Sequence, residues 1–556
     1  MRFSYLDSAF LAVAIIYLYR APFTKVEESF TIQAIHDILN YGIWNLQPYD
    51  HFVFPGAVPR TFVGPLIIST IARPFVSILS LIEGRNWSTQ FQTQILVRSI
   101  IALLNALSLI YLKNSAQALL EITAKEEQIK QDEKRGGALR KPEVLLYTVG
   151  TWFSLFIMTG FHMMYYLSRP LPNFVMTLPL TNVAISWILQ DNYQWAIFLA
   201  SFTAVIFRLE VLAFCAGMAL FSVVYRKISF FKAVKFGILG FGIGMGITLF
   251  IDSYFWQYWC MPEVDSFIFN VVHGNSSKWG VEPFFAYFTH YLRMLFIPPT
   301  ILLLNLLGFK LAPTNMRIIT LGSFFHILVL SFQPHKEWRF IVYAIPSIIL
   351  LGSVAAAYVW ENIEIKSIRN FLLVSLVPLS PLFSAIFSFC FLYISSMNYP
   401  GGEALSNFNL MIINQNITNV TVHLDVPICM TGATLFGELN QDVYAVSYDR
   451  TEDPETLKKL WPSFDYVITA QPSSQNFPFE NATTDNWELL QTAQTYVGLD
   501  MGFLNEEIFQ KESNLFTLMK DCFTSDVSII DQAFNLLDRI ILRGNVFFTY
   551  ERKSRE

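Results

Sequence analysis

The sequence predicts a polytopic, all-α membrane protein of about 11 transmembrane helices, followed by a small C-terminal α/β domain. Three observations carry that prediction. The 556 residues are 53% hydrophobic and only 15% charged, whereas about a quarter of a soluble domain is charged. Apolar runs of spanning length, roughly 17–25 residues, recur through the first 395 positions, and these are far longer than the alternating strands of a barrel. The recurrence then stops, and 396–556 contains no spanning run. The division is therefore expected at 1–395 and 396–556.

The same composition excludes other classes. The 38 Lys and Arg against 43 Asp and Glu leave a net charge of −5, without the clustered positive charge that nucleic acid requires. The 5 Cys, at 215, 260, 390, 429 and 522, are too few and too scattered for a zinc site or a disulfide framework.

In chain order, the run at 5–21 follows only Arg2 and lacks a small-residue cleavage site, so it reads as an uncleaved anchor. The loop at 22–60 contains a segment with Glu27 and Glu28 in its first turn. An apolar stripe of Ile32, Ile35, Ile38 and Leu39 follows, and Gly42 is its stop. This pattern predicts a helix lying along the membrane surface, with His36 and Asp37 on its solvated face. The run at 61–83 is interrupted by Pro65 and by Arg73-Pro74, and it is the segment that fits a simple crossing least well. Runs at 94–112, 145–165 and 174–190 follow. The stretch 195–225 is too long for one upright crossing and contains Arg208 and Glu210, so it reads as two short helices meeting at a polar elbow. Runs at 232–251, 284–308, 316–333, 339–358 and 369–395 complete the series.

Lys and Arg in short loops orient the chain. The segment 113–142 holds Lys113, Lys125, Lys130, Lys134, Arg135, Arg140 and Lys141. Arg226/Lys227, Lys310/Arg317 and Lys366/Arg369 form later basic turns. With these in the cytosol, the loops at 166–173, 252–283 and 334–338 and the C-terminal domain lie on the opposite side. Glycosylation sequons at Asn86, Asn275, Asn416, Asn419 and Asn481 fall on that side as well.

Ionisable groups at membrane depth are costly and mark candidate sites. Glu27 and Glu28 are one such group, although Thr24-x-x-Glu27 also reads as a capping box. His335, Lys336, Glu337 and Arg339 form a second cluster. Asp50, Arg60, Arg169 near Asn173, Arg208 with Glu210, Asp252 and Lys278 complete the set. Arg208 and Glu210 read equally as a neutralising pair or as a substrate contact. Together these groups suit an anionic, partly lipidic substrate: basic side chains hold a phosphate and a carboxylate takes a proton from a hydroxyl. No Asp-x-Asp pair or His/Cys spacing points to a metal, and no Gly-rich phosphate loop or nucleophile elbow is present. In the C-terminal domain, 420–426, 465–469 and 546–550 read as strands, with helices near 452–460 and 526–542. Cys429 and Cys522 can pair in an oxidising compartment.

Glu27-Glu28 after a first transmembrane helix, together with His335-Lys336-Glu337-x-Arg339-Phe340, resembles the dolichyl-phosphate-mannose-dependent mannosyltransferases, glycosyltransferase family 22 of the GT-C fold. Lys25-Val-Glu-Glu-Ser-Phe, Tyr49-Asp-His, Phe54-Pro-Gly-Ala-Val-Pro-Arg-Thr-Phe62, Leu171-Pro-Asn-Phe, Asp252-Ser-Tyr-Phe-Trp and Asn398-Tyr-Pro-Gly-Gly402 extend the resemblance over nearly the whole chain. It implies a multi-pass protein of the endoplasmic-reticulum membrane, with a luminal active site and a luminal C-terminal domain. It also implies inverting, metal-independent transfer of mannose from dolichyl-phosphate mannose to the 6-hydroxyl of a Man7GlcNAc2-diphosphodolichol acceptor, with no cofactor. Glu27 is then the expected general base, with Glu28 orienting it or the acceptor. His335, Lys336 and Arg339 are expected at the donor phosphate, and Asp50, Arg60, Arg169, Arg208 and Lys278 are further substrate contacts. The expected partners are the two lipid-linked substrates and membrane lipid, with the protein a monomer that binds no nucleic acid. Competing readings are an α-1,2-mannosyltransferase of the same or the glycosylphosphatidylinositol pathway and, in another class, a lipid or solute transporter.

Overall fold

The computed structural model describes residues 3–83, 91–135, 143–477, 487–504 and 537–553. The sequons at Asn86 and Asn481, the basic residues Arg140 and Lys141, and Cys522 of the expected Cys429 pair lie outside these residues. The chain divides into two compact units. The first comprises 1–19, 30–79 and 93–389, and the second comprises 20–29, 80–92 and 390–556.

The first unit is helical. Helices α1 (Tyr5–Arg20), α2 (Val26–Tyr41), α3 (Val63–Glu83), α4 (Phe91–Arg135), α5 (Glu143–Thr159) and α6 (Phe161–Tyr166) come first. They are followed by α7 (Leu178–Leu189), α8 (Tyr193–Ile206), α9 (Val211–Val224), α10 (Phe230–Trp256) and α11 (Pro262–Phe267). Then come α12 (Leu292–Leu295), α13 (Thr300–Leu311), α14 (Thr314–Leu330), α15 (Ile345–Asn362) and α16 (Ile368–Ser396). Each apolar run in the sequence coincides with one of these helices or with a pair of them. Among the described residues, 5 stretches are long and apolar enough to cross a membrane, and the pair 287–295 and 300–311, bent by 103°, makes up to 6. Shorter apolar helices lie between them, and the protein is a multi-pass membrane protein.

Burial separates the helices by position. The 338–362 span is 94% buried in its most apolar window, whereas α10 is only 17% buried. Phe230, Phe231, Ile238 and Phe250 of α10 are exposed, an apolar face that lipid covers. On its other side α10 packs against α8 through small residues. A Cβ added at Gly240 would lie 2.2 Å from the Phe198 carbonyl oxygen, so only glycine permits this close approach.

Three expectations are corrected here. The segment at 61–83 forms one continuous helix, α3, despite Pro74 within it. Pro65 falls in the first turn, where its missing N–H has no partner to lose. The Arg73 guanidinium donates to the Ile38 carbonyl at 2.9 Å, near the end of α2, where the Gly42 N–H also bonds it at 3.2 Å. The second correction concerns α2, which has no solvent-facing stripe over residues 31–38, because all of them are buried. Third, His36 and Asp37 are not solvated. Their side chains meet at 3.0 Å, and Asp37 also accepts the backbone N–H of Asp50 at 2.8 Å. A buried polar pair persists because each member has a partner.

The second unit is built on a five-stranded sheet of order β2-β1-β3-β5-β4, with β1 (Val420–Leu424), β2 (Val446–Asp449), β3 (Tyr466–Thr469), β4 (Trp487–Leu499) and β5 (Ile541–Arg552). β1 runs parallel to both β2 and β3, and β5 is antiparallel to β3 and β4. Helix α17 (Pro400–Gln415) lays Phe408 and Ile412 against Val422, Leu424, Ile468 and Phe547. The central β3 is buried at every position, which is why it reads as a continuous apolar run. Of the helix expected near 526–542, positions 526–536 lie outside the described residues, and Ile541 already begins β5.

Candidate active site

In the first unit, sequence elements far apart in the chain converge on the elbow between α8 and α9. Arg208 Nε donates to Glu210 Oε1 at 2.9 Å, so the pairing left open by the sequence is made. Asn173 Nδ2 reaches Glu210 at 3.2 Å, the Arg339 carbonyl at 3.2 Å and the Tyr343 hydroxyl at 2.7 Å. Asn173 opens a π-helical turn, Asn173–Thr177, a wide turn of the kind often found at functional positions. The Leu209 backbone N–H donates to Glu263 of α11 at 2.8 Å.

Arg60 completes this cluster. It is half-buried, and its guanidinium has no hydrogen bond or ion pair among the described residues. Burial, with Arg208 and Arg339 beside it, pushes its pKa down to about 10 against the opposing pull of Glu263 and Glu210. Glu263 responds in the opposite sense. Burial raises its carboxyl to about 7; Arg208 opposes this and Glu210 adds to it. The arrangement holds three guanidiniums close together, one of them without a hydrogen bond or ion pair among the described residues. It is suited to receive an anion, because an incoming phosphate relieves the mutual repulsion and gains charge-assisted hydrogen bonds.

The 334–340 segment supplies Arg339 and fixes it. Glu337 takes hydrogen bonds from His335 Nε2 at 2.9 Å and from the Arg339 guanidinium at 2.8 Å, with a second, closer contact to Arg339 Nε. Burial alone would raise the Glu337 carboxyl; Arg339 and His335 outweigh it and hold the pKa below its ordinary value. Lys336 faces elsewhere. It is buried, and its ammonium donates to the Gln333 carbonyl at 2.6 Å and the Glu282 carbonyl at 3.4 Å. Tyr291 ties the same loops together through Glu282 at 2.7 Å and the Lys336 carbonyl at 2.9 Å. Lys336 is thus a strut under the cluster.

The remaining first-unit candidates are dispersed. Arg169 is buried with its guanidinium 4.2 Å over the Tyr165 ring. Asp50 opens a 3-10 turn fastened by its own N–H to Asp37. Lys278 is exposed in the turn Asn275–Trp279.

Glu27 and Glu28 belong to the second unit. They sit at the start of α2, where Glu28 N–H bonds the Lys25 carbonyl at 2.9 Å. No bond from Glu27 N–H to the Thr24 hydroxyl forms, so the capping box is not made. The two carboxylates differ: Glu28 is buried and engaged by neighbours, whereas Glu27 is exposed and unpaired among the described residues. The segment is anchored to α17. The Lys25 ammonium lies 5.7 Å over the Tyr399 ring, and a Cβ at Gly402 would come within 2.3 Å of Phe23. This packing explains why Lys25–Phe30 and Asn398–Gly402, distant in sequence, belong to one pattern.

Sequence reasoning did not single out Glu263 or Tyr343. The Met261-Pro-Glu segment signals only a helix start, and Tyr343 lies in an unbroken apolar run. Among the described residues, no group of three or more His, Cys, Asp or Glu side chains is placed to hold a metal ion.

Comparison with known proteins adds four findings. The family model described as the Alg9-like mannosyltransferase family matches residues 8–432. The chain is 53% identical over 554 residues to the Dol-P-Man:Man(7)GlcNAc(2)-PP-Dol alpha-1,6-mannosyltransferase of Saccharomyces cerevisiae, covering 99% of this chain and 98% of that one. It is 37% identical over 86% of its length, and 79% of the relative's, to a probable enzyme of the same description from Schizosaccharomyces pombe. Its fold is similar to the crystal structure of ArnT from Cupriavidus metallidurans bound to undecaprenyl phosphate. The TM-score is 0.52 at 11% identity, over 88% of this chain and 96% of that one.

Proposed function

The chain belongs to the Alg9-like mannosyltransferase family, and on that premise we propose that it transfers mannose from dolichyl-phosphate mannose to the 6-hydroxyl of Man7GlcNAc2-diphosphodolichol. The observation that carries this reading is the near end-to-end likeness to the Saccharomyces cerevisiae relative, which includes the second unit and leaves no domain of either protein unmatched.

The chemistry follows from the groups present. The acceptor 6-hydroxyl must lose a proton as it attacks the anomeric carbon. Glu27, exposed and unpaired, takes that proton. Glu28, buried and held, keeps the start of α2 in place. The bond from C1 to O6 forms as the bond from C1 to the phosphate oxygen breaks, through an oxocarbenium-like state. A single displacement of a β-linked donor gives the α-linked product with no covalent enzyme intermediate. Dolichyl phosphate departs with the added negative charge. Arg60, Arg208 and Arg339 stabilise that charge where it grows, in place of a divalent metal. His335 steadies Arg339 through Glu337, and Lys336 supports the loop beneath.

The apolar runs correspond to about eleven membrane segments, with the active site at the luminal face of the endoplasmic-reticulum membrane. The protein acts as a monomer. Radiolabelled mannose transfer by the purified protein onto the seven-mannose acceptor, followed by linkage assignment, tests the reading. An α-1,6-linked eighth mannose is expected. An α-1,2 linkage, or transfer to a glycosylphosphatidylinositol precursor instead, would overturn it.

A further inference from the structure

The last turn of α10 carries Asp252, a fully buried carboxylate on a helix whose opposite side faces lipid. Such a group is costly unless its oxygens are satisfied. Here they are. Oδ1 accepts the Phe62 backbone N–H at 2.7 Å and the Thr61 hydroxyl at 3.2 Å, and Oδ2 accepts the Thr248 hydroxyl from one turn earlier. Four residues on, Trp256 Nε1 donates to the Arg60 carbonyl at 2.9 Å. Between them, Phe255 stacks on Phe62 with ring centroids 4.5 Å apart and 7° between the planes, and its carbonyl accepts His51 Nε2 at 3.0 Å.

One turn of helix therefore grips three consecutive residues, 60, 61 and 62, by backbone and side chain together. An ordinary tether between a helix and a loop needs one or two such bonds. The concentration is informative because of what the gripped segment leaves unbound. The bonds to 60–62 go to the backbone of Arg60 and to its two successors, and the Arg60 guanidinium keeps no hydrogen-bond or ion-pair partner among the described residues. A long side chain with no partner of its own can be held only through its backbone. Arg60 must also be kept beside Arg208 and Arg339, which repel it, with Glu263 and Glu210 offsetting only part of the burial and repulsion.

We propose that Asp252, seconded by Trp256, is a positioning residue for donor binding: it holds Arg60 against like-charge repulsion so that three guanidiniums are aligned before the donor phosphate arrives. Asp252 touches neither substrate and acts through Arg60. This rests on the reading of Arg60 as a phosphate ligand. It predicts a cost in donor affinity, because the alignment is then made at the expense of binding energy.

The test is steady-state transfer by the purified full-length protein, with kcat and KM for dolichyl-phosphate mannose measured at saturating acceptor. Asp252→Leu and Trp256→Phe are each expected to raise the donor KM about tenfold, the scale of one charge-assisted bond, with kcat changed by less than about threefold. Asp252→Asn keeps an acceptor for Phe62 N–H and a partner for Thr248, and is expected to restore KM to within about threefold of wild type. Arg60→Gln should raise the donor KM at least as much, and adding Asp252→Leu to it should do no further harm, because residues acting through one another are not additive. Multiplying effects in the double variant, or an Asp252→Asn enzyme as impaired as Asp252→Leu, would overturn the proposal. Should Asp252→Leu fail to fold, Trp256→Phe alone and combined with Arg60→Gln decides the same question. An unchanged donor KM in Arg60→Gln would instead remove the phosphate-ligand reading itself, and the inference with it.

Discussion

The Glu263 carboxylate accepts the backbone N–H of Leu209 at 2.8 Å, joining positions 54 residues apart. It thereby fixes the elbow that presents Arg208 and Glu210. Because burial raises its carboxyl to about 7, from 4.5, against the opposing effect of this bond, the group ties stability to pH. Between those two values the folded protein holds a proton that the unfolded chain has released. Stability from this group is therefore greatest at acid pH, falls as pH rises from about 4.5 to 7, and is level above. The full change is on the order of 3 kcal/mol, at about 1.4 kcal/mol per pKa unit. Thermal unfolding in detergent between about pH 5 and pH 8 is expected to show a declining midpoint for wild type and a flat one for Glu263→Gln across this window. Equal slopes for the two proteins would contradict it.

The unequal burial of Glu27 and Glu28 separates their roles. Glu27→Gln should lower kcat by roughly 10²- to 10⁴-fold, the range of general-base catalysis, with donor affinity and melting temperature unchanged. Glu28→Gln alters a buried, engaged group and should lower the melting temperature as well as the rate. Near-normal transfer by Glu27→Gln would move the base to Glu28.

Lys336 and Arg339 stand three residues apart, yet their environments predict opposite signatures. Lys336→Met leaves the Gln333 and Glu282 carbonyls without their donor and should cost about 1–3 kcal/mol of stability, with the donor KM of the folded enzyme little changed. Arg339→Gln should raise the donor KM. Paired unfolding and kinetic measurements check this, and a raised donor KM in Lys336→Met would return it to the phosphate side.

Lys278 is exposed, unlike the half-buried arginines of the cluster. Lys278→Ala is expected to leave kcat and KM within about twofold of wild type, as for surface substitutions generally. A larger loss would assign it a substrate contact. Transfer measured in EDTA should equal transfer in added Mg2+ or Mn2+, with the arginines taking the charge that a cation would carry. An EDTA-sensitive rate restored by either ion would require a metal in the mechanism.

Much of the fold was written in local pattern. Lipid forces long apolar helices, and these show as runs in a linear string; even the break at Arg208 and Glu210 was visible, because a charged pair interrupts an apolar stretch. β3 showed as a short apolar run for the same local reason, whereas the edge strands β2 and β4, half-exposed and mixed in composition, did not stand out. The misread elements were those whose partners are distant. His36 and Asp37 look like a solvated face until Asp50 arrives as a partner. Pro74 looks like a break until Arg73 is seen bound to the end of α2.

The candidate site divides in the same way. The sequence by itself determined which charges are exceptional, since few ionisable groups occur in so apolar a chain and those at helix ends are easily found. It also set the pattern by which Glu27, Glu28 and the 335–340 block resemble a family. Only the tertiary structure decided which of those charges remain available. Lys336 is taken up by two carbonyls, Glu337 is shared by His335 and Arg339, and Glu263 joins the cluster without a motif to announce it. Arg60 is left without a hydrogen-bond or ion-pair partner among the described residues. The reason is that a charge acquires its function from what compensates it. In this cluster the only partial compensation of Arg60 among the described residues comes from Glu210 and from Glu263, 203 positions away, which no local reading of the chain can reach.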